Sequence, residues 1–181
     1  MAFLSLPDVK YRETFLAGLA EYHREDRHLD MSRSMIASDF PGFVRGLMAR
    51  ANGSRLPRGW VPSIELWLID GDEYVGTSHI RTQLNEQLRR YGGNIGYEIR
   101  PSRRRQGFGM EILRLTLLWA GTLGMERALV TCNRTNTGSR KIIEANGGVF
   151  EGEDPVNMGS GVILERRYWI TIPAKAGEQP E

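Results

Sequence analysis

The chain has 181 residues, 40% of them hydrophobic, with 24 basic and 22 acidic side chains and a formal charge of +2. That length suits one domain with a full core, and the near balance of charge argues against a global field for nucleic acid or anionic membrane. One cysteine, Cys132, excludes an internal disulfide, and His23, His28 and His79 are scattered without metal-ligand spacing. No run approaches the roughly 18 apolar residues of a membrane span, and the N-terminus lacks a basic-then-apolar signal pattern, so a soluble cytoplasmic protein is the expectation.

Ser5 and Pro7 resemble a helix start, and Tyr11, Phe15, Leu19 and Tyr22 then recur at helical spacing. The preceding Ala2-Phe3-Leu4 admits a short edge strand. Residues 24–38 show no clean period and read as an irregular connection. Asp39 is a good N-cap for a second helix marked by Phe43, Val44, Leu47 and Met48. A loop rich in Gly, Pro and Arg follows, from Asn52 to Pro62.

Ile64–Ile69 and Tyr74–Arg81 read as strands joined by the hairpin signal Asp70-Gly71. Leu84, Leu88 and Tyr91 line one face of a short helix that Gly92-Gly93 breaks, and this insert is expected to overhang the turn that comes next. Residues 94–100 form a strand. Phe108–Leu123 is apolar on nearly every face, so it should be the most buried helix, with Glu111 and Arg114 as an exposed pair. Arg127–Cys132 reads as a parallel neighbour of strand 94–100, completing a right-handed strand–helix–strand unit. Ile142, Ile143 and Ala145 give a last helical face, stopped at Gly147-Gly148. Val149-Phe150 and Val162–Ile170 look like a closing antiparallel pair. The domain spans 1–172, and the tail from Pro173 to Glu181 is expected to be disordered.

The stretch that organises the chain is Gly96-Tyr97-Glu98-Ile99-Arg100-Pro101-Ser102-Arg103-Arg104-Arg105-Gln106-Gly107-Phe108-Gly109. It reads as strand, basic glycine turn and helix, which aims main-chain N–H groups and a favourable dipole at an anion. Gly107 and Gly109 lack a Cβ and let a ligand approach the backbone. A P-loop would need Lys-Ser or Lys-Thr after the last glycine, and Met110-Glu111 stands there. A dinucleotide fingerprint would need a small residue at 112, and Ile112 stands there, which leaves that reading weak.

What remains is Arg104-x-x-Gly107-x-Gly109 after Ile99-Arg100-Pro101, and with it the chain resembles the GNAT superfamily of acyl-CoA-dependent N-acetyltransferases. Asn136, Ser139, Ile142 and Gly147 match that family's next signature, and the likeness is best over 94–150. The pieces Gly92–Tyr97 and Asn146–Gly148 look like a bacterial subgroup of predicted acetyltransferases. The resemblance implies a single-domain α/β fold: a central mixed, mostly antiparallel sheet with a splayed parallel strand pair, flanked by helices. It also implies direct transfer from acetyl-CoA to a primary amine of a small molecule, peptide or protein terminus, with no metal. Oligomeric state stays open, a homodimer included.

By the same resemblance, N–H groups from Arg105, Gln106, Gly107, Phe108 and Gly109 would hold the CoA pyrophosphate after Arg104, and the Ile99 main chain would bind the pantetheine arm. Asn136 and Ser139 would lie beside the pantetheine, or else act as a plain helix cap. Arg140 or Lys141 would reach the 3′-phosphate or solvate a helix face. Glu98, on the strand edging the thioester, is the leading proton acceptor, with an ion-paired strand residue as its alternative; His79 and Glu65 are weaker candidates of the same kind. Many family members carry a thiolate-protonating tyrosine at the position of Ile143, so Tyr168 or water is expected to substitute. Cys132 reads as a small core residue, and the loop around Trp60 as a wall of an acceptor pocket. Two rivals accompany this reading: a non-enzymatic acyl-CoA sensor of the same fold, and a nucleic-acid module using the basic turn 100–105. Few flanking aromatics count against the second.

Overall fold

Alternation along one central strand sorts the apolar residues onto two sides of one sheet. In strand β2 (Ile64–Asp70), Trp67 and Ile69 face one layer of helices while Leu66 and Leu68 face the other, and all four are fully buried. A strand covered on both faces reads as a continuous apolar run, which is why its alternation is hidden in the sequence. The computed structural model describes residues 1–54, 56–159 and 161–172.

The remaining strands are β1 (Ala2–Ser5), β3 (Glu73–Ile80), β4 (Ile95–Ile99), β5 (Arg127–Asn133), β6 (Val149–Asn157) and β7 (Val162–Thr171). They form one sheet in the order β1-β2-β3-β4-β5-β7-β6, antiparallel except for β4 and β5. The expected edge strand at 2–4 therefore forms, pairing Ala2–Ser5 with Asp70–Trp67. The Asp70-Gly71 hairpin forms too, with Gly71 at φ 61°.

On one face lie α1 (Arg12–His23), α2 (Arg33–Ser38) and α3 (Phe40–Ala51). Their Phe15, Leu19, Phe40 and Leu47, with Tyr11 just before α1, pack on Trp67, Ile69 and Tyr74, with Phe15 stacked on Trp67 at a centroid distance of 4.7 Å. On the other face lie α5 (Phe108–Thr122) and α6 (Thr137–Ala145). Ile112, Leu113, Thr116, Leu117, Ala120 and Ile143 are the residues they bury. The small α4 (Glu86–Arg90) buries none and is capped by Asn85, whose side chain accepts from Leu88 N at 2.8 Å.

Three expectations are corrected. Asp8, rather than Ser5, starts the first helical segment, its carboxylate accepting from Lys10 N at 3.0 Å. Residues 24–38 hold a helix, α2, capped by Ser32; Ile36 is its one buried side chain, so there was no apolar period to read. The 82–93 insert joins the end of β3 to the start of β4, whereas the basic turn leaves the other end of β4. Five residues of strand, about 17 Å, separate them, so the insert does not overhang the turn. The expectation of a disordered 173–181 tail lies outside the described residues. Among the described residues no helix is long and apolar enough to cross a membrane.

Candidate active site

The basic turn is tied down by its arginines before any ligand is considered. Arg103 pairs with Asp70 at 2.9 Å and Glu73 at 3.5 Å, and Arg104 with Glu25 at 2.9 Å. Arg100 is buried and bonded to Glu21 of α1, whose other contacts are Ser102 N at 3.0 Å and Ser102 Oγ at 2.9 Å. Partial burial works against the charge of Glu21, but Arg100 and Ser102 together hold its carboxyl down at about 2. Arg104 Nε also donates to Ile99 O at 3.1 Å, so that carbonyl is engaged within the chain.

With Arg100, Arg103 and Arg104 occupied, the turn offers its backbone. Arg105 at φ 61° and Gly107 at φ 86° are both left-handed, and Gly107 caps α5 with no side-chain bond. Left-handed backbone around a helix start turns successive N–H groups to one side, a nest for an anion. Among the described residues, the N–H groups of Arg105, Gln106, Gly107, Phe108 and Gly109 find no acceptor in the chain. Gly107 leaves open space where a Cβ would stand. Gly109 has a different reason to be small: a Cβ there would meet Ile142 Cδ1 of α6 at 2.6 Å. Gln106 binds back to Ser102 O, and Phe108 lies under the Arg103 guanidinium at 5.1 Å.

Beside the turn the sheet opens. β4 and β5 are in register only at Ile95–Val130, so they part toward the ends that lead into the turn and α6. The Tyr97 hydroxyl spans the opening and shares a hydrogen bond with Ser139 Oγ at 3.0 Å. Burial pushes the Tyr97 phenol up to about 12, so it stays protonated and able to donate. Asn136 caps α6, its side-chain oxygen accepting from Ser139 N at 2.9 Å.

Glu98 faces the other way from Tyr97, as strand alternation requires. Its carboxylate lies 2.7 Å from His28 Nε2 and 2.6 Å from Arg27 Nη1, both on the segment after α1. Bonding to Glu98 raises the pKa of His28. On this same face two cavities, of about 290 and 420 Å³, share Arg50, Trp60, Glu65 and His79 in their walls. Glu65 lies 3.8 Å from His79 Nδ1, and Trp67 Nε1 donates to it at 2.9 Å. Burial, opposed by Glu65 and helped by Arg81 and Arg50, lowers the pKa of His79 and so favours the neutral imidazole. Trp60 is well exposed at the rim, as expected of a pocket wall.

Other candidates fall outside the opening. Tyr168 is 1% exposed and packs in the core with Ile143 and Cys132, so its phenol is not presented to the cleft as a substitute acid. Ile143 is equally buried, pressed beneath Gly148. Cys132 is a core thiol that burial pushes up to about 11. Arg140 sits 4.0 Å from Glu144 on α6. Among the described residues there is no cluster of three or more metal-ligating side chains. Sequence reasoning missed Glu21, Arg27, His28 and Arg81, whose importance rests on contacts far apart along the chain.

The fold as a whole is matched by comparison with known proteins. Residues 12–149 match the family model described as an acetyltransferase (GNAT) domain. The chain belongs to the GNAT acetyltransferases. It is accordingly an N-acetyltransferase on a GNAT fold. Among solved structures it resembles the microcin C7 self-immunity acetyltransferase MccE in complex with acetyl-CoA and AMP, at 15% identity, TM-score 0.70, and 94% and 92% coverage of the two chains. RimJ from Mycobacterium smegmatis, in complex with CoA-disulfide, matches at 21% identity, TM-score 0.70, and 99% and 84% coverage. RimL, a ribosomal L7/L12 α-N-protein acetyltransferase in complex with coenzyme A, matches at 16% identity, TM-score 0.69, and 95% and 94% coverage. No curated protein sequence matches the chain.

Proposed function

We propose that this cytoplasmic GNAT acetyltransferase acts by direct transfer to a primary amine in a ternary complex, the amine entering from the α1–α3 face. The observation that carries this is the opening between β4 and β5, with the N–H groups of 105–109 free of acceptors at its end and the Glu98 carboxylate on its α1–α3 side. Acetyl-CoA supplies the acyl group already activated as a thioester. The nest at Arg105–Gly109 holds the pyrophosphate through the backbone, while Asn136 and Ser139 border the arm. Arg104 acts by shaping the turn through Ile99 O and Glu25.

In this reading Glu98 takes the proton that the ammonium must lose before its lone pair is free, directly or through a water. Reaching the amine means exchanging one of its present partners, Arg27 or His28. The amine nitrogen then bonds to the acyl carbon as the carbon–sulfur bond breaks, and the Tyr97–Ser139 pair passes a proton to the departing sulfur and regains one, through water, from the new amide nitrogen, in the role expected of Tyr168. A thiolate is a good leaving group near neutral pH, so a weak donor suffices. His79 is a second proton acceptor, favoured by its neutral imidazole and by Glu65 beside Nδ1.

Titration calorimetry with CoA and acetyl-CoA, followed by mass spectrometry of products from an amine panel, tests the proposal. Binding with N-acetylated product supports it. No heat at hundreds of micromolar ligand would overturn it, and binding without any thiol release would favour the sensor.

A further inference from the structure

The two cavities run along β3 from Thr77, which is paired with Glu98, past His79 to Arg81. Their ends differ in charge. Near the Thr77 end Glu98 holds His28, which lines the inner cavity, and Glu65 stands opposite His79 between the two ends. At the other end Arg81 is half-buried and, among the described residues, has no carboxylate within ion-pair distance; its one bond is a long one from Nη1 to Gly93 O, at 3.4 Å. Desolvation depresses its pKa, so the charge is held at a cost. Arg50, an exposed side chain on the shared wall, also has no carboxylate partner among the described residues. Arg27, Arg100, Arg103 and Arg104 near the site each meet an acidic side chain. A desolvated guanidinium without a counter-charge is destabilising until an anion arrives.

Between the two ends the walls are rings. Trp60 and Tyr91 flank the outer cavity, and Phe15 and Tyr74 the inner one. A buried hydroxyl on the outer wall, Ser63 Oγ, has no hydrogen-bond partner among the described residues. Thr77 and Arg81 are four residues apart on one strand direction, about 13 Å.

Resting on the transfer reading above, we propose that the acceptor is an amine that also carries an anionic group, a carboxylate or phosphate, on the order of 10 Å from its nitrogen. The amine occupies the Glu98 end, Arg81 and Arg50 receive the anion, and a flat apolar segment lies between the rings of Trp60 and Tyr91.

Matched tripeptide amides test this: glycyl-phenylalanyl-aspartyl amide, its asparaginyl counterpart, and its phosphoseryl counterpart. Each is titrated into the CoA-loaded protein by tryptophan fluorescence and then assayed for thiol release with acetyl-CoA. An anionic probe should bind about tenfold or more tighter than the asparaginyl one, the gain expected of one charge-assisted pair. Preference for the aspartyl or the phosphoseryl probe identifies the anion. Arg81→Gln should abolish the preference through KM, Arg81→Lys should keep most of it, and neither should change CoA affinity, which also reports folding.

Equal binding of the three probes overturns the proposal. So does equal weakening of all three by Arg81→Gln, or no binding of any probe at about 10 mM while CoA still binds. Failure of CoA itself to bind would instead sink the transfer reading.

Discussion

Glu98 on β4 and His28, seventy positions earlier, meet at 2.7 Å on the helical face of the opening. The contact anchors the segment after α1 over the strand expected to edge the thioester, and Arg27 fastens it a second time. If Glu98 takes the amine's proton, Glu98→Gln keeps the shape and loses the base. The expected outcome is a fall in kcat of about a hundredfold or more with CoA affinity within about twofold, read by steady-state kinetics and calorimetry. Equal loss in His79→Gln, with Glu98→Gln near wild type, would assign the proton to the second acceptor.

His28 and His79 should shift stability in opposite directions with pH. Glu98 raises His28, so its contribution is fully present below the ordinary histidine value of about 6.5 and is lost as pH climbs through the raised value. Burial lowers His79, so the unfolded chain takes up the proton first on acidification, and stability falls as pH drops from about 6.5 toward the lowered value. Urea denaturation at about pH 5.5 and pH 8.5 separates them. His28→Gln should lose most relative to wild type at the acid pH. His79→Gln should gain relative to wild type there, provided its packing is kept.

The left-handed turn predicts a pair of unequal substitutions. Gly107 has room for a side chain but sits at φ 86°, so Gly107→Val meets backbone strain and no clash. It should cost about 1–2 kcal/mol of stability and abolish CoA binding by covering the nest. Arg105, at φ 61°, already bears such strain. Arg105→Gly should therefore be neutral or stabilising by up to about 1 kcal/mol, measured by thermal unfolding. A strong destabilisation would mean the Arg105 side chain does more than its backbone.

The sequence displayed what is local. Strand, turn and helix at 96–109, the Asp39 cap and the Asp70-Gly71 hairpin depend on neighbours in the chain, and periodicity or a single turn residue reveals them. The family's backbone chemistry was legible for the same reason, because Gly107 marks a conformation as well as a motif. Contacts between distant segments were not. Nothing around His28 or Glu21 signals a partner seventy or more residues away, and α2 buries too little to leave a period. Tyr168 was misjudged because alternation along β7 does not say which layer covers which face. Arg81 reads as a strand-end arginine until the cavity beside it is known.

Glu21 and Arg100 supply the last prediction, because they connect α1 to the turn rather than to any ligand. Both side chains are nearly buried, and Arg100 further donates to Tyr74 O at 3.2 Å. Removing one partner leaves the other charge stranded, so Glu21→Gln should destabilise by about 2 kcal/mol or more near neutral pH. The folded Glu21 carboxyl lies at about 2, below its unfolded value, so its contribution is present above the usual carboxylate range and is lost as pH falls toward 2. Urea titrations of wild type and variant should therefore converge on acidification. Ser102 N loses a carboxylate acceptor in the variant, which loosens the turn just before the nest. CoA affinity should fall several-fold even where the protein remains fully folded. Unchanged affinity at full folding would show that the nest is held by Arg103, Arg104 and the start of α5 without help from α1.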